Sequence, residues 1–226
     1  HERFARSLGL AMFAFMQRNP EITHSDPVVG RYSDFLGTIQ LPASINIMQT
    51  RPLAGSALLV LDGQLVSTIV DLMFGGTGRP MRKSEGREFS MTEKRLIQKL
   101  IDLSSSEYSR AWESIHPMEL VFTRSESQPQ FANIAIPAEM VVSTTFTLDF
   151  NGQSGTIQVC IPYTVLEPIR DTLSSSLNTN SGEEKRSWLG QMSKEIKPAG
   201  VELVAELTTA TLTLGELMKL QTGDVI

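Results

Sequence analysis

One cysteine in 226 residues, three histidines and no surplus of basic charge close off several functions at once. A lone cysteine forms no internal disulfide, and Cys160, inside the apolar run TIQVCIP, reads as a small buried hydrophobe rather than a nucleophile. His1, His24 and His116 stand far apart, without metal-ligand spacing. A formal net charge of -5 leaves no basic field to recruit phosphates, so nucleic acid is not expected as a partner. No apolar run approaches the roughly 18 residues that span a bilayer, and none resembles a secretion signal. With 41% hydrophobic and 20% charged residues, the chain has an ordinary globular balance and the length to bury a core. The expectation is a cytoplasmic protein without metal or cofactor.

Catalytic groupings are scarce too. G-x-S-x-G is absent, and no Ser/His/Asp set carries a local motif. The carboxylates of the segment 90–117, Glu93, Asp102, Glu107 and Glu113, alternate with Lys94, Lys99 and Arg110, which predicts a solvated helix face.

What is present is a regular order of elements. HERFARSLGLAMFAFMQRNP reads as an amphipathic helix with Phe4, Leu8, Met12 and Phe15 on one face and Asn19-Pro20 as its stop. A polar stretch with prolines follows, then ASINIMQTRP as a strand and SALLVLDG as a second. The second is too apolar for a sheet covered on one face only. LVSTIVDLMF has helical spacing. SMTEKRLIQKLIDLSSSEYSRAWESIHP predicts a long helix opened by a Ser90/Glu93 capping box, with Ile97, Ile101, Tyr108, Ala111 and Ile115 as its apolar stripe. Strands are predicted in MELVFTRS, EMVVSTTFTLDF and GTIQVCIP, the last two joined at Asn151-Gly152, a strong hairpin signal. TVLEPIRDTL closes the series as a helix.

The two halves of this series repeat. LPASINIM at Leu41 matches IPAEMVVS at Ile136, a displacement of 136 − 41 = 95. GSALLVLDGQLVSTIVDLM at Gly55 matches GTIQVCIPYTVLEPIRDTL at Gly155, a displacement of 155 − 55 = 100. The pattern predicts a pseudo-two-fold α/β domain over residues 1–173, with halves of about 1–80 and 90–173 sharing one sheet. Residues 174–200 read as a polar linker and a short helix. Residues 201–226 read as strand-rich and too short to bury a core alone.

FGGTGRP, Phe74 to Pro80, follows a helix rather than preceding one, so the nearby dipole end is negative and a phosphate cradle is not expected. Gly75 is placed to close the helix in a left-handed conformation. A cap alone, and a cap that doubles as a side-chain-poor contact surface, both fit these residues. Were Gly76 and Gly78 at negative φ, a β-branched residue there would leave stability near its original value.

ERFARSL, LMFGGTGRP, EGREFSMTEKRLI, RSESQPQFANIA and IPYTVLEPIRDTL together resemble, in order and spacing, the family of bacterial flagellar motor switch protein M (FliM). LTLGELMKLQTGDVI resembles the start of the surface-presentation-of-antigens domain that ends that family. The resemblance implies a three-layer α/β/α middle domain similar to the chemotaxis phosphatases CheC and CheX, followed by a truncated β-rich segment. It implies a structural and signal-transducing subunit of the cytoplasmic C-ring, peripheral to the inner membrane at the flagellar basal body, that couples chemotaxis to the direction of rotation. The implied partners are switch protein G (FliG), contacted by Gly75, Gly76, Thr77, Gly78 and Arg79, switch protein N (FliN) through the C-terminal domain, and neighbouring copies in a ring. Phosphorylated CheY would bind mainly through an N-terminal peptide that precedes His1. The alternative is a phosphatase of a phosphorylated response regulator. Those phosphatases carry a helix-borne Glu with Asn three residues on, whereas Glu93 is followed at that spacing by Leu96 and Glu107 by Arg110.

Overall fold

In the computed structural model, residues 1–78, 89–173 and 211–221 are described. The chain divides into two compact units, His1–Thr179 and Asn180–Ile226.

The first unit begins with α1 (Glu2–Met16), which buries Phe4, Ala5, Leu8 and Met12 and ends at Gln17, a left-handed cap whose N–H donates to the Phe13 carbonyl. Two short strands, β1 (Glu21–His24) and β2 (Val28–Arg31), and a helix, α2 (Tyr32–Thr38), follow where the sequence pattern predicts only a polar stretch. β3 (Ala43–Arg51) and β4 (Ser56–Asp62) form an antiparallel hairpin, and α3 (Gly63–Met73) leads to the glycines. The second half repeats the plan with α4 (Met91–Trp112), β5 (Glu119–Glu126), β6 (Met140–Asp149), β7 (Ser154–Pro162) and α5 (Tyr163–Leu166). α5 passes into a 3₁₀ turn at Glu167–Ile169, with Pro168 inside it, and residues 170–173 are again helical.

The seven described strands share one antiparallel sheet in the order β1-β6-β7-β4-β3-β5, with β2 beside β1 along β6. Each hairpin is therefore flanked by a strand of the other half: β5 pairs with β3, and β1 and β2 pair with β6. At the centre, β4 and β7 pair as Leu58↔Cys160, Leu59↔Val159, Val60↔Gln158 and Leu61↔Ile157. Every pair sums to 218, so residues displaced by 100 face each other only at Leu59 and Val159. A local two-fold axis passes there. Its mark recurs off the axis: a Cβ on Gly55 would lie 2.4 Å from a Val165 methyl, and one on Gly155 would lie 2.5 Å from Leu65 Cα. Each glycine lets the helix that follows the other hairpin come close.

The sheet is covered on both faces. The larger core joins Phe4, Leu8, Leu65, Ile69, Leu100 and Tyr108 of the helices to Leu59, Leu61, Phe146 and Val159 of the sheet. Leu58, Val60 and Cys160 point to a smaller core with Tyr32 and Phe35 of α2 and with Ala132 beyond a 3₁₀ turn at Pro129–Phe131. Five consecutive buried residues of β4, Ala57 to Leu61, alternate between these cores, which is why the strand carries no polar face. Phe4 stands edge-on to both Tyr108 and Phe146, with centroids 5.2 and 4.7 Å away, and thereby joins α1, α4 and the sheet.

Local signals hold where they are strong. Ser90 N–H donates to Glu93 Oε2 at 2.7 Å and Glu93 N–H to Ser90 Oγ at 3.4 Å, the reciprocal capping box of α4. Asn151 and Gly152, at φ 56 and 89, make the turn of the β6–β7 hairpin. Two expectations for the long helix need correction. Glu93 and Glu107 are only 7% and 8% exposed, so the acidic residues do not form one solvated face. Glu93 turns back onto its own cap, and Glu107 pairs with Arg110 at 3.1 Å. Ile115 lies beyond the end of α4 and is exposed rather than part of the stripe.

In the second unit, Leu214–Leu217 forms one helical turn behind a Thr213/Glu216 capping box. The expected linker and short helix at 174–200, and residues 201–210 and 222–226 of the expected strand-rich segment 201–226, lie outside the described residues.

Candidate interface loop

α3 is positioned from its first residue. The Asp62 carboxylate accepts the Leu65 N–H and caps the helix. Its other oxygen accepts Thr156 N–H at 2.7 Å and Thr156 Oγ at 2.9 Å, which ties the cap to β7 of the other half. Leu65, Val66 and Ile69 seat the helix in the core. From this anchor the C-terminal end runs outward to the glycines.

The end of α3 is a Schellman motif. Gly75 N–H donates to the Leu72 carbonyl at 3.1 Å, Gly76 N–H to the Asp71 carbonyl at 2.8 Å, and Gly75 has φ 84. Gly75 thus closes the helix as its place in the sequence predicts. Nothing lies within 4 Å of where its Cβ would be. The expectation for Gly76 and Gly78 needs correction. Gly78 has φ 81, also left-handed, and its N–H donates to Asp71 Oδ2 at 2.8 Å. A Cβ on Gly76 would lie 2.2 Å from that same oxygen. Both glycines serve the shape of the loop, so a bulky residue at either would disturb the fold locally before it could report on a partner.

Phe74 and Met73 flank the tip and are 76% and 46% exposed. Gly75 and Thr77 are exposed as well, whereas Gly78 is buried against Leu72 and Thr68. Arg79 lies outside the described residues. The structure therefore brings Gly75, Gly76, Thr77 and Gly78 into one turn with two apolar neighbours. Asp71 and Phe74 were missed by sequence reasoning. Their signals were present: an acidic residue in the last turn of a helix opposes the helix dipole, and a phenylalanine at a helix end had no core face to enter.

Among the described residues, no group of three or more His, Cys, Asp or Glu is placed to hold a metal ion. Cys160 is fully buried, and burial pushes its thiol up to about 12. A groove between α1 and α4 is lined by Arg3, Ser7, Glu107, Arg110 and Ser114, but Glu107 is spent on Arg110. No described helix is long and apolar enough to cross a membrane.

An antiparallel sheet layered between helices, with two interlocked helix–hairpin–helix units and a glycine turn at the end of α3, defines a layered α/β domain. The chain belongs to the family described as "Flagellar motor switch protein FliM", whose profile it matches over residues 1–177. Residues 194–226 match a second family, "Type III flagellar switch regulator (C-ring) FliN C-term". The chain is 35% identical to the FliM of Escherichia coli K12, over its whole length and 68% of that protein, and 32% identical to that of Pseudomonas aeruginosa, over 70% of it. The FliM middle domain from Vibrio alginolyticus superposes with a TM-score of 0.69 at 32% identity, covering 76% of this chain and 95% of that one. A chain from a FliG–FliM complex of Helicobacter pylori shares the fold, with a TM-score of 0.70 at 22% identity over 75% of this chain and 92% of that one.

Proposed function

We propose that this flagellar switch protein works by contact and without catalysis, as a wall subunit of the C-ring that takes FliG on the tip at Gly75, Gly76, Thr77, Gly78 and Arg79. The observation that carries this is the tip itself: a backbone-rich turn with exposed Thr77, beside exposed Phe74 and Met73, at the end of a helix anchored in both halves. Small side chains let a partner's backbone approach, and the two apolar residues supply area to bury. The complex from Helicobacter pylori, which contains FliG, supports FliG as the partner. Residues 194–226 would bind FliN, and neighbouring copies would complete the ring. Phosphorylated CheY would dock mainly through sequence preceding His1, and the assembly would lie at the inner face of the membrane. Residues 1–173 form the middle domain in this reading, 174–200 a connection, and 201–226 the start of the second domain.

Thr77→Arg and Phe74→Asp test it, because neither position is buried and neither needs a left-handed backbone. Both variants should melt with the parent protein and lose affinity for the FliG middle domain by about tenfold or more. Unchanged affinity in both would remove the tip from the interface.

A further inference from the structure

We infer that Asp71 is a positioning residue that holds the glycine tip in a single shape for its partner. Two independent contacts converge on its carboxylate. Oδ2 accepts the Gly78 N–H at 2.8 Å, bridging seven residues from the helix back to the far side of the turn. The same group occupies the space a Gly76 side chain would need, with Oδ2, Cγ and Oδ1 at 2.2, 2.3 and 2.4 Å from an ideal Cβ. The turn is thus wrapped around the carboxylate.

Helix stability does not account for an acid here. Asp71 sits in the last turn of α3, at the negative end of the dipole, and the last turn holds no basic residue. What the position does supply is an acceptor one turn before the tip, aimed at Gly78, whose N–H faces back toward the helix. The Schellman bonds of Gly75 and Gly76 fix the entry to the turn, and Asp71 fixes its exit. Without that acceptor, Thr77 and Gly78 sample several conformations. A partner that binds one of them is then weakened by the fraction in which it is populated. The inference rests on the reading of the tip as a partner surface.

Three forms of the 226-residue chain test it: the parent, Asp71→Ala and Asp71→Asn. Asparagine keeps one carbonyl oxygen at the same reach, while losing the charge and exchanging the other oxygen for an NH2 group, so it should rescue. Amide exchange at Gly78 reads the latch without any partner. It should be slow in the parent and in Asp71→Asn, and at least about tenfold faster in Asp71→Ala. Affinity for the FliG middle domain should fall about tenfold or more in Asp71→Ala and stay within a few-fold of the parent in Asp71→Asn. Gly76→Ala adds a second arm. Gly76 has no left-handed backbone, and the three atoms nearest to a Cβ there all belong to the carboxylate. Gly76→Ala should therefore weaken binding in the parent but add little in the Asp71→Ala background, a non-additive pair.

Equal Gly78 exchange in all three forms overturns the latch, as does undiminished FliG affinity in Asp71→Ala. Failure of the parent to bind FliG overturns the contact reading instead, and amide exchange at Gly78, which needs no partner, still decides whether Asp71 shapes the tip.

Discussion

α3 and α5 occupy the same place in the two halves, yet only one of them is a well-formed helix. α3 runs for 11 residues from the Asp62 cap to the Schellman turn. α5 starts behind Pro162 without a side-chain cap, lasts 4 residues and breaks into a 3₁₀ turn at Pro168. Toward each other the halves stay alike. Leu59 faces Val159 on the axis, Gly55 meets Val165, and Gly155 meets Leu65. The repeat is kept where the halves touch and abandoned where each faces outward, because packing between them constrains both copies together while an exposed helix end is constrained only by what it contacts.

The sharpest way to break this comparison is at the two glycines. Gly155→Ala would drive a Cβ to 2.5 Å from Leu65 Cα and 2.7 Å from Leu65 N, which is helix backbone and cannot step aside. We expect a loss of more than about 3 kcal/mol in denaturant unfolding. Gly55→Ala meets a Val165 methyl at 2.4 Å, which a rotamer change can move, though φ 149 adds strain. Its loss should be smaller, about 2 kcal/mol. The reverse order would mean that α5, not α3, is the rigid member of the pair. Because strands cross between the halves, residues 1–173 should unfold in one transition, and two resolved transitions would undo the interlocked reading.

Asp62 comes next, as the cap that α5 lacks. Asp62→Ala removes the N-cap and both bonds to Thr156, for a loss of about 2 kcal/mol by thermal melting. Asp62→Ser restores the cap without the reach to Thr156 and should recover about half of it. Full recovery would show that the tie between the halves contributes nothing.

The smallest effect at neutral pH separates the two cores. Burial pushes Tyr32 and Cys160 of the smaller core, and Tyr108 of the larger, up to about 12. These values lie above those of the unfolded chain, 9.0 for the thiol and 10.0 for the phenols. The stability they confer is complete below about pH 9 and is lost as pH rises toward 12, since the unfolded chain releases protons that the folded chain retains. Urea midpoints measured from pH 8 to 11 should fall, and less steeply in Tyr108→Phe and Tyr32→Phe. Cys160 should react with a thiol reagent at pH 8 only after unfolding. Reaction in the folded state would mean that the smaller core opens without global unfolding.

The sequence by itself determined the elements whose rules are local. The Ser90/Glu93 box starts α4, Asn151-Gly152 turns the hairpin, Gly75 ends α3, and the double-faced apolar runs of β4 and β7 require cover on both sides. Each depends on residues within a few positions of one another. Family membership was legible for a related reason: the glycine tip and the EGREF stretch after it are strung in a fixed order. Tertiary structure decided the rest. β1 and β2, four residues each, show no alternation of their own and exist as strands because β6 pairs with them more than a hundred residues later. Glu93 and Glu107 lie on a helix that looks solvated in one dimension, and are buried because α4 packs against α1 and the sheet. Gly76 and Gly78 could be read as spare surface until the fold of the turn brought the Asp71 carboxylate under both. Hydrogen bonds and hydrophobic spacing within one turn are written in neighbouring residues; pairing across the sheet and the filling of space between elements are set only when the chain closes on itself.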